Sequence, residues 1–436
     1  MKIVALSLTA LSLISAACSS KPEALDPARE GLSPAQQEGG ARRSIANPTA
    51  GIAVVRIQIF PHWGKYDAPQ GKESRIDEVT FVNPRGCSLH APAESAVASR
   101  TETSLKIELR ALGAGAVRVA CGGGETQLLR EAALKSFSYA GEFNVSAWAG
   151  PQGERGLRVL NVLPFDQYLK GVVPTEVPAT YPMQALKSQA VAARTYAYFE
   201  ISHLRASTPD AEVDLDDTVQ SQAYVGTSKA TPETDRSVDE TLGQIITHQG
   251  RAIKAYFSSD SGGYTEDALH VWGDSLPYCI AKKEQYPADA YRTDWEKILS
   301  AEEVVQGLVT AHLIPSGTTL DALRILDSER YPSGRASLVH ADLAGGTGSI
   351  QLIAIDVRFA LKLRSTLFSV RRNADGKFDF TGKGYGHGVG MNQSGSKALA
   401  DTLNWDYAKI LGFYYDGTEI CVNGSQGDPN LPICQN

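Results

Sequence analysis

The sequence predicts an α+β protein in which mostly antiparallel, strand-rich domains flank one long central helix, with a cleft between lobes. Three observations carry this. Residues 51–150 alternate apolar and polar side chains: "VVRIQIF" sets Val55, Ile57 and Ile59 against Arg56 and Gln58, "LKIELRAL" sets Ile107 and Leu109 against Lys106, Glu108 and Arg110, and "AVRVAC" repeats the pattern up to Cys121. Period-two alternation marks strands with one wet face, as in antiparallel sheets. From Met183 the pattern changes to spacings of three and four, with Met183, Leu186, Ala190, Ala193 and Ala197 forming one helical stripe. Further on, "DWEKILSAEEVVQGLV" mixes helical patterning with turns and suggests a smaller lobe.

Composition bounds the function. The 436 residues are 42% hydrophobic and 21% charged, ordinary for a chain with sizeable cores. A formal net charge of −7 and a pI near 5.7 provide no broad basic face, which excludes nucleic acid as the expected partner.

The N-terminus, "MKIVALSLTALSLISAACSS", has one charge at Lys2, an apolar run from Ile3 to Ile14 and small residues ending at Cys18. A run this short reads as a secretory signal over residues 1–18 rather than a membrane span, which needs roughly 20 apolar residues. The ending "ISAAC" resembles the bacterial lipobox, although Ser15 stands where leucine is usual. Lipid on Cys18 would anchor the protein to a membrane, and Ser19 favours the outer membrane of a two-membrane cell, facing the periplasm. Residues 19–50, rich in Ser, Pro, Gly, Ala and charge, read as a flexible tether.

The remaining cysteines are Cys87, Cys121, Cys279, Cys421 and Cys434. Proximity in an exported chain suggests that Cys87 pairs with Cys121 and Cys421 with Cys434, leaving Cys279 as a buried thiol. Two ligand types, His270 and Cys279, are too few for a zinc site, so no metal and no cofactor is expected. The expected organisation is a strand-rich domain over 51–150, a core over 151–294, a smaller lobe over 295–345, and a C-terminal part of the core over 346–436.

Glu176 attracts attention because it stands between Pro174 and Pro178 in the apolar stretch "GVVPTEVPATYP", which reads as a stiff loop entering the long helix. Burial among Val172, Val173 and Val177 would raise the pKa of a carboxyl and suit it to general acid work. The other reading is an acid stabilised at a helix start. Two more segments stand out. "AYFSSDSGGYTEDA" (255–268) follows an expected hairpin across "THQGRA", and "GKGYGHGVGMNQSG" (382–395) alternates glycine with Tyr385, His387 and Val389. The second lacks the lysine and spacing of a phosphate-binding loop; its glycines suit close backbone approach.

Together, "LPFDQYLKGVVPTEVP", "LKSQAVAARTYA", "QSQAYVG", "SDSGGYTED", "LRSTLFSV", "GKGYGHGVGMNQSG" and "ILGFYYDGTEI" occur in the order found in the stage II sporulation protein D (SpoIID) and LytB amidase-enhancer family, which the chain resembles from about residue 50 to about residue 420. The resemblance implies a bacterial cell-wall protein. For the sporulation branch it implies a lytic transglycosylase that acts on glycan strands stripped of stem peptides, and it maps the catalytic glutamate onto Glu176. It also suggests Gln222, Tyr224, Ser258, Ser261, His387 and Gln393 as sugar contacts. Arg194, with Lys187 seven residues away, would meet the lactyl carboxylate of a peptide-free muramic acid, unless Arg194 is a buried structural ion pair.

Other roles stay open. A second carboxylate opposite Glu176, from Asp260 or Glu266, would favour lysozyme-like hydrolysis. The LytB branch implies a glycan-binding enhancer of a cell-wall amidase that does not itself cut. Some sporulation members carry a zinc cluster before the "QxY" motif; here "DLDDTVQSQAY" places Asp216, Gln220 and Ser221 there, and Gln and Ser are poor zinc ligands. Asn392 and Ser394 replace the more usual serine and tryptophan in the glycine loop.

Overall fold

The alternating N-terminal segments form strands whose apolar faces share one core. The computed structural model describes residues 52–59, 76–92, 100–113, 115–130, 137–149, 155–285, 294–422 and 434. The expected signal, its Cys18 and the tether lie outside these residues. Strands β1 (Val54–Ile59), β2 (Glu78–His90) and β3 (Arg100–Glu108) precede a single turn, α1 (Leu109–Leu112). β4 (Ala116–Cys121), β5 (Thr126–Arg130), β6 (Phe137–Tyr139), β7 (Glu142–Ala149) and β8 (Arg155–Pro164) follow. With β9 (Leu215–Asp216) they make a nine-stranded sheet among the described residues, ordered β6-β5-β2-β4-β7-β8-β1-β9, with β3 also on β2. The pairing is antiparallel except between β1 and β9. Val79, Phe81, Val119, Phe143, Val145 and Val159 from the inward face are fully buried. Cys87 and Cys121 stand opposite each other in the β2–β4 ladder and form a disulfide.

The boundary expected at residue 150 does not divide the core. β7 pairs with β8 over Glu142 to Ala149, and the same cluster continues into Tyr168, Leu169, Ala193 and Val238. Helix α2 (Phe165–Glu176) leaves β8 directly, and α3 (Met183–Ser207) follows. α3 accounts for the alanine stripe and adds to it. Leu186, Ala190, Ala193 and Ala197 face the sheet core, while Ala185, Val191 and Ala192 belong to a second core. A helix buried on both sides needs small side chains where backbones approach closely.

The second core lies between α3 and the C-terminal segments. α4 (Pro232–Asp239) leads to the hairpin β10 (Gln244–His248) and β11 (Arg251–Ala252), which turns at Gln249 and Gly250, both with positive φ as a tight hairpin requires. β12 (Phe257–Ser258) and α5 (Ala268–Trp272) complete this part. Cys279 is a free thiol buried in this core, and Cys421 is bonded to Cys434.

The smaller lobe is longer than the expected 295–345. It contains β13 (Trp295–Leu299), α6 (Ala301–Thr310), β14 (Leu320–Arg324), β15 (Leu338–Leu343), β16 (Ser349–Ile353), α7 (Ala354–Ala360), β17 (Phe368–Arg372) and β18 (Phe378–Gly382). The extension has a simple cause: β18 pairs with β13, placing Gly382 opposite Trp295, and Phe378 and Phe380 fill the same core as Val304, Leu308 and Val339. The chain then re-enters the central body through β19 (Met391–Asn392), parallel to β12, then α8 (Gln393–Leu403), α9 (Tyr407–Tyr414) and β20 (Glu419–Val422), which pairs with β10. Among the described residues no helix is long and apolar enough to cross a membrane.

Two glycine substitutions separate propensity from packing. Gly412 lies exposed inside α9 with open space where a side chain would grow, so Gly412→Ala should stabilise by about 0.5–1 kcal/mol. At Gly390, with φ of +69°, a methyl group would overlap the Tyr256 carbonyl, so Gly390→Ala should cost about 2–4 kcal/mol. Thermal melts of the two variants check both signs.

Candidate active site

Glu176 ends α2 rather than sitting in an extended loop. Pro174 is accommodated inside the helix, and Val177, forced towards extended backbone by Pro178, terminates it with φ of −131° and ψ of 148°. The expectation of a rigid mount holds by another route: the acid is the last residue of a packed helix. Gly171 lets that helix approach closely, because a side chain there would overlap the Tyr224 ring and the Gly226 carbonyl.

That contact brings in the "QAY" segment. Gln222 accepts from the Tyr168 hydroxyl at 3.2 Å and donates to the Ala193 carbonyl at 3.1 Å, and Tyr224 donates to Asn161 Oδ1 at 2.8 Å. Both side chains are buried, so they anchor the segment instead of making the sugar contacts expected of them. Between them the Ala223 N–H donates to Glu176 Oε1 at 2.7 Å. The other oxygen, Oε2, accepts from Gln393 Nε2 at 3.3 Å, and the same nitrogen lies 3.3 Å from Gln189 Oε1. Four separate parts of the chain therefore meet at one half-buried carboxyl.

Burial raises the Glu176 pKa above the ordinary carboxylate value; the Ala223 amide, the Gln393 amide and the charge of Lys229 each oppose it and do not cancel it. The hydrogen bonds of Asp260 and Glu266 run to groups other than Glu176. Asp260 accepts from the Gly262 amide, its backbone bridges Tyr385, and burial pushes its pKa up to about 6. Glu266 is buried against His270 and Ser333. The through-space charge acting on Glu176 is that of Lys229.

Arg194 is corrected from a substrate contact to a structural ion pair. It is 2% exposed, 3.1 Å from Asp166, and donates towards the Val238 and Gln244 carbonyls, which ties α2, α3 and α4 together. Lys187 pairs with Glu240 at 2.6 Å. Ser258 Oγ accepts from the Gly388 amide at 3.2 Å, and Ser261 Oγ bonds Glu284 and Asn392, so both hydroxyls hold loops together. His387, expected as a sugar contact, is half-buried against Trp272 and Tyr256. Its Nδ1 accepts from the Val389 amide, and burial together with Arg358 and Arg335 pushes its pKa down to about 3, so the ring is neutral. Asp216 accepts from the amide and hydroxyl of Thr218, and Ser221 Oγ accepts from the Asp216 amide, so hydrogen bonds shape the turn before Gln222.

Sequence reasoning missed Gln189 and the Ala223 amide. Gln189 had a signal, a polar residue within an alanine-rich stretch of α3; the backbone donor had none. Because the folded protein holds Glu176 protonated to higher pH than the unfolded chain does, ionisation of Glu176 subtracts stability as pH rises between the two pKa values. Glu176→Gln should therefore melt above wild type at pH 8, with the gain shrinking towards pH 4. Gly171→Ala should reverse this pattern of tight approach and lower the melting temperature at both pH values.

Comparison with known proteins places these segments in a family. The family model described as stage II sporulation protein matches residues 153–248, which hold Glu176 and the "QAY" segment, and a domain of unknown function matches residues 276–390, which include the lobe. The chain is 32% identical over 270 residues to the stage II sporulation protein D of Bacillus subtilis, covering 59% of this chain and 74% of that protein. It is also 34% identical over 262 residues to an uncharacterised protein of Brachyspira hyodysenteriae, covering 60% and 68%. A Bacillus subtilis protein named amidase enhancer is 32% identical over 297 residues, which span 58% of this chain but only 40% of that relative. With identity above 30% across roughly three quarters of a sporulation protein D, the chain belongs to the stage II sporulation protein D family.

Proposed function

We propose that the protein is a lytic transglycosylase of bacterial peptidoglycan, cutting the bond between N-acetylmuramic acid and N-acetylglucosamine in strands stripped of stem peptides. The observation that carries this reading is the half-buried carboxyl of Glu176, raised in pKa and held by two amide donors, with Lys229 as the charge acting on it. One acid suffices for such a reaction. Glu176 donates its proton to the glycosidic oxygen as the bond to the muramoyl C1 breaks. The resulting carboxylate takes the proton of the muramoyl 6-hydroxyl as that oxygen bonds to C1. A 1,6-anhydro ring closes, the acid is restored, and no water is consumed. Hydrolysis would use two carboxyl groups, about 5 Å apart for retention and farther for inversion.

The similarity to a protein named amidase enhancer favours a second reading, in which this protein binds glycan and acts through a cell-wall amidase. Mass analysis of products from intact and amidase-stripped glycan, beside Glu176→Gln, separates the two. The expected result is anhydro-muramoyl ends from stripped glycan, lost in the variant. Reducing ends would indicate hydrolysis, and binding without cleavage by either protein would leave the enhancer reading.

The rate should fall as pH rises through the raised Glu176 pKa, since only the protonated form can donate. Lys229 is exposed and lowers that pKa, so Lys229→Met should move the basic limb of kcat/KM slightly upward at low salt and leave it unchanged at high salt.

The site of action that fits this chemistry is outside the cytoplasm. The proposal is that residues 1–18 direct export and that lipid on Cys18 anchors the protein to the outer membrane facing the periplasm. Palmitate labelling, expected in wild type and absent in Cys18→Ala, tests it.

A further inference from the structure

A second carboxyl is buried behind the glycine loop, and the reaction above gives it no part. Glu284 is 8% exposed. Its Oε1 accepts from Ser261 Oγ at 2.9 Å and from Asn392 Nδ2 at 3.0 Å, and its Oε2 accepts from the Tyr414 hydroxyl at 2.8 Å. Asn392 Nδ2 also donates to Ser261 Oγ at 2.9 Å, and Ser261 Oγ receives the Gly263 amide at 3.1 Å. The chain makes room for this cluster: a side chain at Gly395 would overlap the Tyr414 hydroxyl and press on the Asn392 amide. A buried acid is costly unless its oxygens are satisfied, and here three side chains from three segments satisfy them.

Asn392 is the residue before Gln393. It closes β19, and α8 begins with Gln393. On the far side, Ser394 is tied through its amide and its hydroxyl to the Ser259 carbonyl, at 3.1 and 2.8 Å. The backbone on both sides of Gln393 is thus fixed, and the Gln393 amide is left 3.3 Å from Glu176 Oε2. Through-space charge on Glu284 comes from Asp260 and that on Glu176 from Lys229, with the Tyr168 hydroxyl in electrostatic reach of Glu176.

We propose that Glu284 is a positioning residue for Glu176, holding the start of α8 through Asn392 so that the Gln393 amide stays on the acid's second oxygen. The inference rests on Glu176 being the proton donor. A displacement of even 1 Å in such a partner costs orders of magnitude in rate when the reacting group must be aligned.

The test uses the full chain, with Glu284→Leu, Glu284→Gln and Gln393→Ala alone and in combination. Glu284→Leu should lower kcat on stripped glycan by about 10- to 100-fold with KM nearly unchanged. Glu284→Gln keeps an acceptor for Ser261 and Asn392 and a donor for Tyr414, so it should stay within about three-fold of wild type. Once Gln393 is alanine, Glu284→Leu should add less than about two-fold, because both act on one interaction. Additive losses, or wild-type kcat in Glu284→Leu, overturn the proposal. Should Glu284→Leu fail to fold, Asn392→Ala takes its place with the same expected outcomes. Infrared titration of the Glu176 carboxyl, isolated by difference from Glu176→Gln, gives a readout free of activity. Its midpoint should rise in Glu284→Leu, where a donor to the carboxylate is lost, and stay in place in Glu284→Gln. Failure of wild type to cut stripped glycan would reject the transglycosylase reading alone; an unmoved midpoint in Glu284→Leu would reject the Glu284 inference alone.

Discussion

The structure depends on keeping one carboxyl out of water without stranding it. Burial of Glu176 at the end of α2 raises its pKa, yet both oxygens have donors, Ala223 N–H and Gln393 Nε2. These donors are 47 and 217 residues away in the chain. The fold has to bring them within hydrogen-bond distance of a helix end, and much of its architecture serves that requirement.

α3 is the beam on which this is built. One side packs on the nine-stranded sheet and the other on the core beneath α8 and α9, so elements on both sides are referenced to a single helix. Arg194 strengthens this arrangement by joining α3 to Asp166 at the start of α2 and to carbonyls at the end of α4 and in β10. Gln189, five residues earlier, reaches the other way to Gln393. The glycine loop is then fitted by close backbone approach: Gly386 packs on Ser258, Gly388 on the Arg335 guanidinium from the lobe, and Gly390 on Tyr256. Larger residues would separate the segments the loop connects.

Some of this was legible in the sequence because it is local. Alternation exposed the inward faces of β1, β3 and β4, spacing exposed α3, and composition together with cysteine proximity suggested the two pairs that are bonded in the structure. The prolines around Glu176 argued for rigidity, yet they concealed a helix: Pro174 lies inside α2, where packing by Tyr168, Leu169, Val172 and Val173 outweighs the lost backbone hydrogen bond. Gln222, Tyr224 and Arg194 were polar residues in suggestive places, and nothing local distinguishes an anchor from a ligand contact. The full extent of the lobe is not legible in the sequence because β17 and β18 complete a sheet begun by β13, and strand partners that distant leave no mark on either segment.

By itself the sequence determined the inward faces of the early strands, the long helix α3, and which acid sits in an apolar, proline-bounded setting. Those properties follow from side-chain period, backbone restriction and hydrophobicity, all readable within a few residues. Tertiary structure alone decided which groups touch Glu176, that the neutral imidazole of His387 is enclosed by Trp272 and Tyr256, and that Glu284 stands behind Gln393. The physical reason is that desolvation and hydrogen bonding are set by whatever the rest of the chain places within about 3 Å, and a sequence states the groups available without their distances.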